Sequence, residues 1–215
     1  DKVMKQIRIS AKNLGAVAMP SFCPRCFWIT YHTSLQPFQR FPGIFSSIDS
    51  YSKKVTARYY EDHGKLVKWF TKIGLTGKPV KVPHHNEFNV LDSKTGVLLT
   101  GVPDEIIQLS DGSYAILDYK TAKFTGSQDE LMPMYDVQLN AYAYIGERTG
   151  FKPVSRLVLI YYEPVTEIET GEIDELIHGN GFNMAFSGKP LDISINTKKI
   201  PALLKTVRKI HDLRK

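Results

Sequence analysis

A strong turn signal between two extended apolar segments constrains the fold of this chain more than any other feature. The turn is Ser110–Ser113, whose central Asp-Gly pair is typical of the tight loop in a β-hairpin. The strand that follows, 114–120, ends in Asp118 and Lys120, which are two residues apart and therefore share one face. The segment before the turn contains Asp104. We expect one hairpin to bring two carboxylates and a lysine together.

The length of the hairpin loop decides which acidic residue faces Asp118. A two-residue loop would pair Glu105 with Asp118 and turn Asp104 toward the opposite face of the sheet. An odd number of loop residues, or a bulge beside Pro103, places Asp104 on the Asp118 face instead, since proline removes a ladder donor. Two carboxylates can hold a divalent cation, and a neighbouring lysine can orient water or stabilise charge on a phosphate. We predict that Asp104 joins the site, with Glu105 as the alternative.

The composition indicates one globular domain over residues 1–215. Hydrophobic residues make up 42% of the chain, which is enough for a substantial core. No apolar run approaches the length of a membrane span and the start shows no secretory signal, so we expect no membrane association. The two cysteines, Cys23 and Cys26, are too few for a disulfide framework, so a reducing cytoplasm is the expected location.

The positive charge is concentrated at one end of the sequence. In residues 198–215, seven lysine and arginine side chains accompany a single carboxylate, Asp212, which accounts for the net charge of +6 of the whole chain. Such a basic element favours a polyanionic partner, although a solvated helix face has the same composition. We predict that Lys205, Arg208 and Lys209 contact nucleic acid.

Hydrophobic periodicity predicts helices and strands in an order that favours an α/β fold, with a mixed central β-sheet flanked by helices. The expected parts are an N-terminal helical region (1–75), a core (76–165) and a C-terminal basic helix (198–215). The predicted elements are a helix over 46–70, strands over 80–90, 97–109 and 114–120, a helix from Pro133 to about Arg148, a strand over 154–162 and a last helix from Ile200. The first helix is expected to bury an apolar stripe made of Ile48, Tyr51, Val55 and Tyr59.

Together, the hairpin and the helices before and after it resemble the PD-(D/E)XK nuclease superfamily. The likeness lies in Pro103-Asp104, in Asp118-Tyr119-Lys120 with Thr121 after it, and in the frame Gln138-x-x-x-Tyr142. It covers about residues 44–162 and is nearest to the RecB-like branch, which includes RecB-family and CRISPR-associated exonucleases. The resemblance implies a restriction-endonuclease-like core.

The resemblance also implies a role for each polar residue of the hairpin. Asp104 and Asp118 would bind Mg²⁺ or Mn²⁺ together with the backbone carbonyl of Tyr119. Lys120 would be the catalytic lysine, and a metal-activated water would attack the phosphorus.

Gln138 and Tyr142 are four residues apart and therefore share a helix face. In relatives this pair lies near the active site and is associated with DNA contacts, so we expect Gln138 to bond a phosphate or Lys120. The alternative is an amphipathic helix that packs Tyr142 in the core.

RecB-like relatives usually take a further metal ligand, often a histidine, from a helix before the hairpin. Asp49 and His63 lie on the same flank of the predicted helix, and Glu87 on the following strand is a third candidate. We favour Asp49, because a third carboxylate suits a hard cation, with a solvated or capping role as the alternative.

The Cys23-Pro-Arg-Cys26 segment resembles half of a metal site. Zinc and iron–sulfur sites normally take four protein ligands, no cysteine follows Cys26, and His32 is a third candidate without a fourth. We therefore expect no iron–sulfur cluster and a small buried cysteine pair instead.

The function expected from these residues is metal-dependent hydrolysis of phosphodiester bonds in single- or double-stranded DNA. The set of Asp104, Asp118 and Lys120 favours this enzyme over a nucleic-acid-binding module of the same fold that does not cleave. A metal-dependent hydrolase of small phosphate esters is the other alternative, but it has no use for the basic end. Protein partners in a repair or phage-defence complex are compatible with the resemblance.

Overall fold

The computed structural model describes residues 6–33, 42–123, 130–169 and 173–213. The helices are α1 (Ala11–Ala16), α2 (Pro24–Thr33), α3 (Gly43–His63), α4 (Lys68–Thr71), α5 (Met132–Gly146), α6 (Ile173–Leu176) and α7 (Ile200–His211). The strands are β1 (Ile7–Ser10), β2 (Gly77–Val80), β3 (Asn89–Asp92), β4 (Val97–Thr100), β5 (Glu105–Leu109), β6 (Tyr114–Lys120), β7 (Val154–Pro164), β8 (Ile177–His178), β9 (Gly181–Phe182) and β10 (Phe186–Ile193). None of the helices within these described ranges is both long and apolar enough to cross a membrane.

A five-stranded sheet forms the centre of the protein, with the strand order β10-β7-β6-β5-β2. β6 and β7 run parallel, whereas the other neighbouring pairs are antiparallel. A parallel pair needs a crossover connection, and α5 lies in the one between β6 and β7. Three shorter strands form a second sheet in the order β1-β4-β3, and β8 pairs with β9. The predicted α/β fold with a mixed central sheet flanked by helices is confirmed.

Both faces of the central sheet are covered by helices. Because side chains alternate along a strand, β6 directs Ile116 to one face and Leu117 to the other. The Ile116 face packs with residues of α1, α5 and α7, and the Leu117 face packs with α4 and the end of α3. Asp118 shares the Ile116 face and is therefore directed toward α5.

The β5–β6 hairpin turns through three residues, 110–112. Gly112 ends the loop with a φ of +85°, a left-handed conformation that glycine adopts without steric cost. The resulting register moves Asp104 rather than Glu105 to the position beside Asp118. The odd loop length therefore meets the condition under which Asp104 shares the Asp118 face.

The strands around the hairpin differ from those predicted. The predicted strand over 80–90 is wrong, because β2 ends at Val80 and an irregular segment with a turn separates it from β3. The predicted strand over 97–109 is divided into β4 and β5, which belong to different sheets. Gly101 and Pro103 interrupt it, since neither residue favours a continuous ladder.

Sequence periodicity does not predict β1 or β10. β10 contains Gly188 and Pro190, which weaken the strand signal, and it lies at an end of the central sheet, where proline is tolerated. β1 is only four residues long and pairs with β4 of the second sheet. The N-terminal part predicted to be helical therefore also contributes a strand.

Several other predicted element limits agree with the structure. β6 has the predicted bounds, α5 carries Pro133 in its first turn, and α7 begins at Ile200. α3 ends earlier than predicted, because Gly64 adopts a left-handed φ of +63° and closes the helix. The last two residues of the predicted basic helix, 214–215, lie outside the described residues.

α3 presents a different face to the protein from the one predicted. Two residues of its predicted apolar stripe are exposed, with Tyr51 66% and Val55 38% accessible, Ile48 and Tyr59 are half-buried, and the buried residues of the helix are Ser52 and Thr56. The contact of this face with the sheet is polar, since Thr56 Oγ1 lies 3.3 Å from the Tyr119 hydroxyl oxygen. A polar contact in the middle of α3 and apolar packing of Tyr59 and Tyr60 at its end therefore orient the helix together.

Gly101 packs directly against Tyr142 of α5. A β-carbon at position 101 would lie 2.7 Å from two carbons of the Tyr142 ring, so an alanine must displace that ring. We expect Gly101→Ala to lower the free energy of unfolding by about 1–3 kcal/mol, as overpacking of a core does. Urea unfolding followed by tyrosine and tryptophan fluorescence measures the change.

Gly43→Ala is the matched control, because a β-carbon at position 43 meets no heavy atom within 4 Å. We expect it to leave stability unchanged or slightly raised, since alanine suits the first turn of α3. Equal losses in the two variants would contradict the packing role of Gly101.

Candidate active site

Asp104, Asp118 and Lys120 converge where β5 begins and β6 ends. Asp118 and Lys120 point to the same face of β6, and Lys120 Nζ lies 2.5 Å from Asp118 Oδ2. Asp104 immediately precedes β5, and its Oδ2 accepts a hydrogen bond of 2.5 Å from the backbone N–H of Tyr119. The structure thus brings together the three side chains that the sequence predicts as catalytic.

Gln138 of α5 connects the two charged residues of β6. Its Nε2 donates to Asp118 Oδ1 at 3.0 Å, and its Oε1 accepts from Lys120 Nζ at 3.3 Å. Nε2 also donates to the hydroxyl oxygen of Tyr142, one helical turn further on, at 2.9 Å. Lys120 Nζ lies 4.4 Å from the centre of the Tyr135 ring, within range of a cation–π interaction. Of the two bonds expected for Gln138, the structure contains the one to the lysine.

The oxygens of the two aspartates fit a divalent cation. Among the described residues, Asp118 Oδ2 is the buried side-chain oxygen that accepts no hydrogen bond, because Lys120 approaches it as an ion pair without hydrogen-bond geometry. A buried carboxylate oxygen that accepts no hydrogen bond is costly, and the Lys120 ammonium offsets part of that cost. Within the same part of the chain, no three His, Cys, Asp or Glu side chains form a preformed cluster. The donors suit an ion such as Mg²⁺, which takes one or two carboxylates and keeps several waters.

Burial raises the pKa of both acidic residues at the start of β5. Loss of water around Asp104, together with repulsion from Asp118, raises its pKa to about 6, although the ammonium of Lys53 acts against the shift. Loss of water around Glu105 raises its pKa to about 7. A proton therefore competes with a cation for Asp104 up to a higher pH than it would at an aspartate with an ordinary pKa.

α3 contributes Lys53, a site residue that the sequence analysis does not identify. Its Nζ lies 2.6 Å from Asp104 Oδ1 and 2.8 Å from Asp49 Oδ2. Asp49, the favoured third metal ligand, is thus linked to Asp104 through an ammonium. Lys53 follows Asp49 by four residues and shares its helix face, which is the signal that could have identified it.

The remaining candidates for a further ligand lie in other environments. The ring of His63 stacks on Tyr59 with centroids 4.3 Å apart, and its Nδ1 lies 3.0 Å from the Tyr59 carbonyl oxygen. Glu87 is exposed and lies in a turn, which corrects its placement on a strand. Glu105, the alternative in the hairpin, faces the other side of the sheet and accepts a hydrogen bond from the Tyr119 hydroxyl.

The three basic residues predicted to contact nucleic acid differ in exposure. Lys205 and Lys209 are exposed on α7. Arg208 is turned inward, where its Nε donates to the Thr95 carbonyl at 2.6 Å and its Nη1 donates to Asp212 Oδ1 at 3.2 Å. The guanidinium therefore ties α7 to the turn between β3 and β4.

The cysteine pair is exposed, so the prediction of a buried pair is wrong. Cys23 and Cys26 lie at the beginning of α2, a helix in which no residue is fully buried. The Cys26 N–H donates to Cys23 Sγ at 3.2 Å. His32, the third candidate for a cluster, stacks on Trp28 with ring centroids 4.1 Å apart, toward the other end of the helix.

Comparisons with known proteins identify a family, and they find solved structures with a similar fold. A family model described as the PD-(D/E)XK nuclease superfamily matches residues 38–208, which is most of the chain. No curated protein matches the sequence. A solved structure titled "Crystal structure of SSO0001" is similar with a TM-score of 0.46 and 12% identity, over 97% of this chain and 78% of that chain. The range of the family match contains Asp104, Asp118, Lys120 and Gln138.

The raised pKa of Glu105 predicts a pH dependence of stability. Between its ordinary pKa of 4.5 and about 7, the folded protein keeps a proton on Glu105 that the unfolded chain releases. The free energy of unfolding should therefore fall as pH rises through this window, by about 3 kcal/mol from this residue. Asp104 acts in the same direction up to about pH 6. Urea unfolding in chelator-treated buffers across the window measures the slope.

Glu105→Gln removes the titrating group, so we expect its stability to depend on pH less steeply, with the contribution of Asp104 remaining. Glu61→Gln, at an exposed position of α3, is the control and should keep the slope of the parent. The same slope in Glu105→Gln and in the parent would show that Glu105 titrates normally.

Proposed function

The chain belongs to the PD-(D/E)XK nuclease superfamily, and on this basis we propose that it is a Mg²⁺- or Mn²⁺-dependent nuclease that hydrolyses phosphodiester bonds of DNA. One observation carries the proposal. In the described part of the chain, Asp118 Oδ2 is buried without a hydrogen bond and lies beside Lys120, at the point where Asp104 also meets β6. A carboxylate pair in which one buried oxygen is balanced only by an adjacent ammonium suits hydrolysis of a phosphate ester.

Asp104, Asp118 and the Tyr119 carbonyl would hold the cation. When bound, Mg²⁺ or Mn²⁺ lowers the pKa of a bound water and stabilises negative charge on phosphate oxygens. Asp104 would contribute Oδ1, because its Oδ2 accepts the Tyr119 N–H. Asp118 would contribute Oδ2, because its Oδ1 accepts from Gln138.

Lys120 would orient the attacking water or stabilise the charge that develops on the phosphate. The ammonium is held between Asp118 and Gln138 with the Tyr135 ring beside it, so its direction is set before substrate arrives. Gln138 would act as a positioning residue, since it bonds both the lysine and its carboxylate partner.

Two features support a RecB-like nuclease acting on DNA. The RecB-like resemblance partly rests on Gln138 and Tyr142. Gln138 bonds Asp118, Lys120 and the Tyr142 hydroxyl. Lys205 and Lys209 add exposed positive charge on α7, which suits a phosphate backbone. Because the RecB-like branch includes exonucleases, we extend the proposal to exonuclease action on single- or double-stranded DNA.

Replacing Lys120 tests the proposed catalysis. We expect the parent to cleave linear DNA in the presence of Mn²⁺ and Lys120→Ala to cleave at least about 100-fold more slowly, because a preorganised charge next to the phosphate is lost. Gel assays with end-labelled single- and double-stranded DNA measure the rate and show whether products accumulate from the ends. Lys78→Ala, at an exposed position of β2, is the control and should cleave like the parent.

The result for DNA retention distinguishes the alternatives. Retention without Mn²⁺-dependent cleavage by the parent would replace the enzyme with a binding module. If the parent neither retains nor cleaves DNA but hydrolyses a small phosphate ester, the protein is a metal-dependent hydrolase of such esters instead. Equal cleavage by Lys120→Ala and the parent would exclude Lys120 from the reaction.

Replacing the exposed lysines of α7 tests their proposed contact with DNA. We expect Lys205→Ala/Lys209→Ala to weaken DNA binding and to reduce the slope of log affinity against log salt by about 0.9 for each lost phosphate contact. Fluorescence anisotropy in Ca²⁺ or chelator across a salt series measures both quantities. Lys78→Ala/Lys81→Ala removes the same charge from β2 and the residue that follows it, and it should have a smaller effect on the slope. Equal slopes in the two double variants would exclude a specific role for α7.

A further inference from the structure

Each aspartate of the candidate site has its own lysine. Lys120 pairs with Asp118 on the same strand, and Lys53 of α3 pairs with Asp104. Lys53 Nζ also reaches Asp49, so one ammonium lies 2.6 Å and 2.8 Å from two carboxylates. The proposed chemistry uses Lys120 but gives Lys53 no role.

The packing of α3 directs Lys53 toward the site. Its neighbour Ser52 is buried, the Lys53 side chain is 37% exposed, and the next residue, Lys54, is exposed. Burial opposes the charge of Lys53, but the carboxylates of Asp104 and Asp49 outweigh this effect and raise its pKa. The ammonium therefore stays charged at neutral pH.

Lys53 and a divalent cation require the same oxygen. Asp104 Oδ2 accepts the Tyr119 N–H, which leaves Oδ1 for a cation, and Oδ1 is the atom that Lys53 contacts. Two positive charges on one oxygen repel each other, by about 4 kcal/mol for unit charges 4 Å apart near a protein surface. Lys53 and a cation on Asp104 therefore weaken each other's binding. Lys120 has the same effect at Asp118 Oδ2, but Gln138 and the Tyr135 ring hold Lys120 in place.

We propose that Lys53 competes with the divalent cation for Asp104 and leaves this carboxylate when the cation binds, which also frees Asp49 to act as a ligand. This inference rests on the proposed function, because it takes metal binding by Asp104 and Asp118 as given. In the absence of a divalent cation, Lys53 compensates the charge of Asp104. When a cation is present, Lys53 lowers the affinity of the protein for it.

Calorimetric titration with MnCl₂ tests the competition. At about pH 8, well above the ordinary pKa of a carboxyl group, we expect Lys53→Met to bind Mn²⁺ about tenfold more tightly than the parent, which corresponds to roughly 1.4 kcal/mol. Lys54→Met removes the same charge from an exposed position of the same helix and should bind like the parent. An affinity of Lys53→Met equal to or below that of Lys54→Met overturns the competition.

Two further variants separate charge from folding. Lys53→Arg keeps a cation and should keep the affinity of the parent, so a gain as large as that of Lys53→Met overturns a charge-based competition. Lys53→Gln replaces Lys53→Met if the latter does not fold. The rise of Tm on addition of Mn²⁺ is the second readout, and it should be larger in the variant without the ammonium than in Lys54→Met.

Asp49→Asn in the Lys53→Met background tests the release of Asp49. Loss of part of the gained affinity supports a ligand role for Asp49, and an unchanged affinity overturns it.

Asp118→Asn distinguishes this inference from the proposed function. If Mn²⁺ binding to the parent is absent, or is not weakened by Asp118→Asn, the proposed metal site fails and the inference fails with it. If Asp118→Asn abolishes binding but Lys53→Met gains none, only the competition by Lys53 is overturned.

Discussion

The register of the β5–β6 hairpin is the constraint on which the candidate site depends. Three loop residues, closed by the left-handed Gly112, bring Asp104 to the face of Asp118. The same register sends Glu105 to the reverse face, where it accepts a hydrogen bond from the Tyr119 hydroxyl. Two consecutive acids therefore enter separate environments, one among charged side chains and one among tyrosines. Burial raises the pKa of both, but only Asp104 has a carboxylate partner for a shared cation.

The buried charge of Asp118 is supported by a chain of contacts that reaches well beyond the hairpin. Gln138 bonds Asp118 and Lys120, Tyr142 bonds Gln138, and the Tyr142 ring packs on Gly101, where no side chain would fit. Burying a charged pair is favourable only with such partners. Residues that are far apart in sequence therefore form one packed unit, in which Gly101 and Tyr142 support the ionisable groups by packing.

The parts of the fold that could be predicted are those in which burial follows local periodicity. β6 and the helix that starts around Pro133 have clear apolar patterns and punctuation, and the likeness to known nucleases identified the residues that meet at β6. The orientation of α3 could not be predicted, because Thr56 makes a polar contact while the apolar Tyr51 stays exposed. β10 was hidden by Pro190, which an end strand tolerates. The spacing of Lys53 from Asp49 places it on the face of the candidate ligand, but its contact with Asp104 follows from tertiary packing and could not be predicted.

The opposite facing of two neighbouring acids has a consequence for how this chain can vary. Loops between strands usually accept insertions and deletions, because they lie on the surface and close at small entropic cost. Here a single inserted or deleted residue between positions 109 and 113 would exchange the faces of Asp104 and Glu105 without a substitution at either position. The candidate site therefore constrains the length of this surface turn, even though the residues within the turn are exposed to solvent.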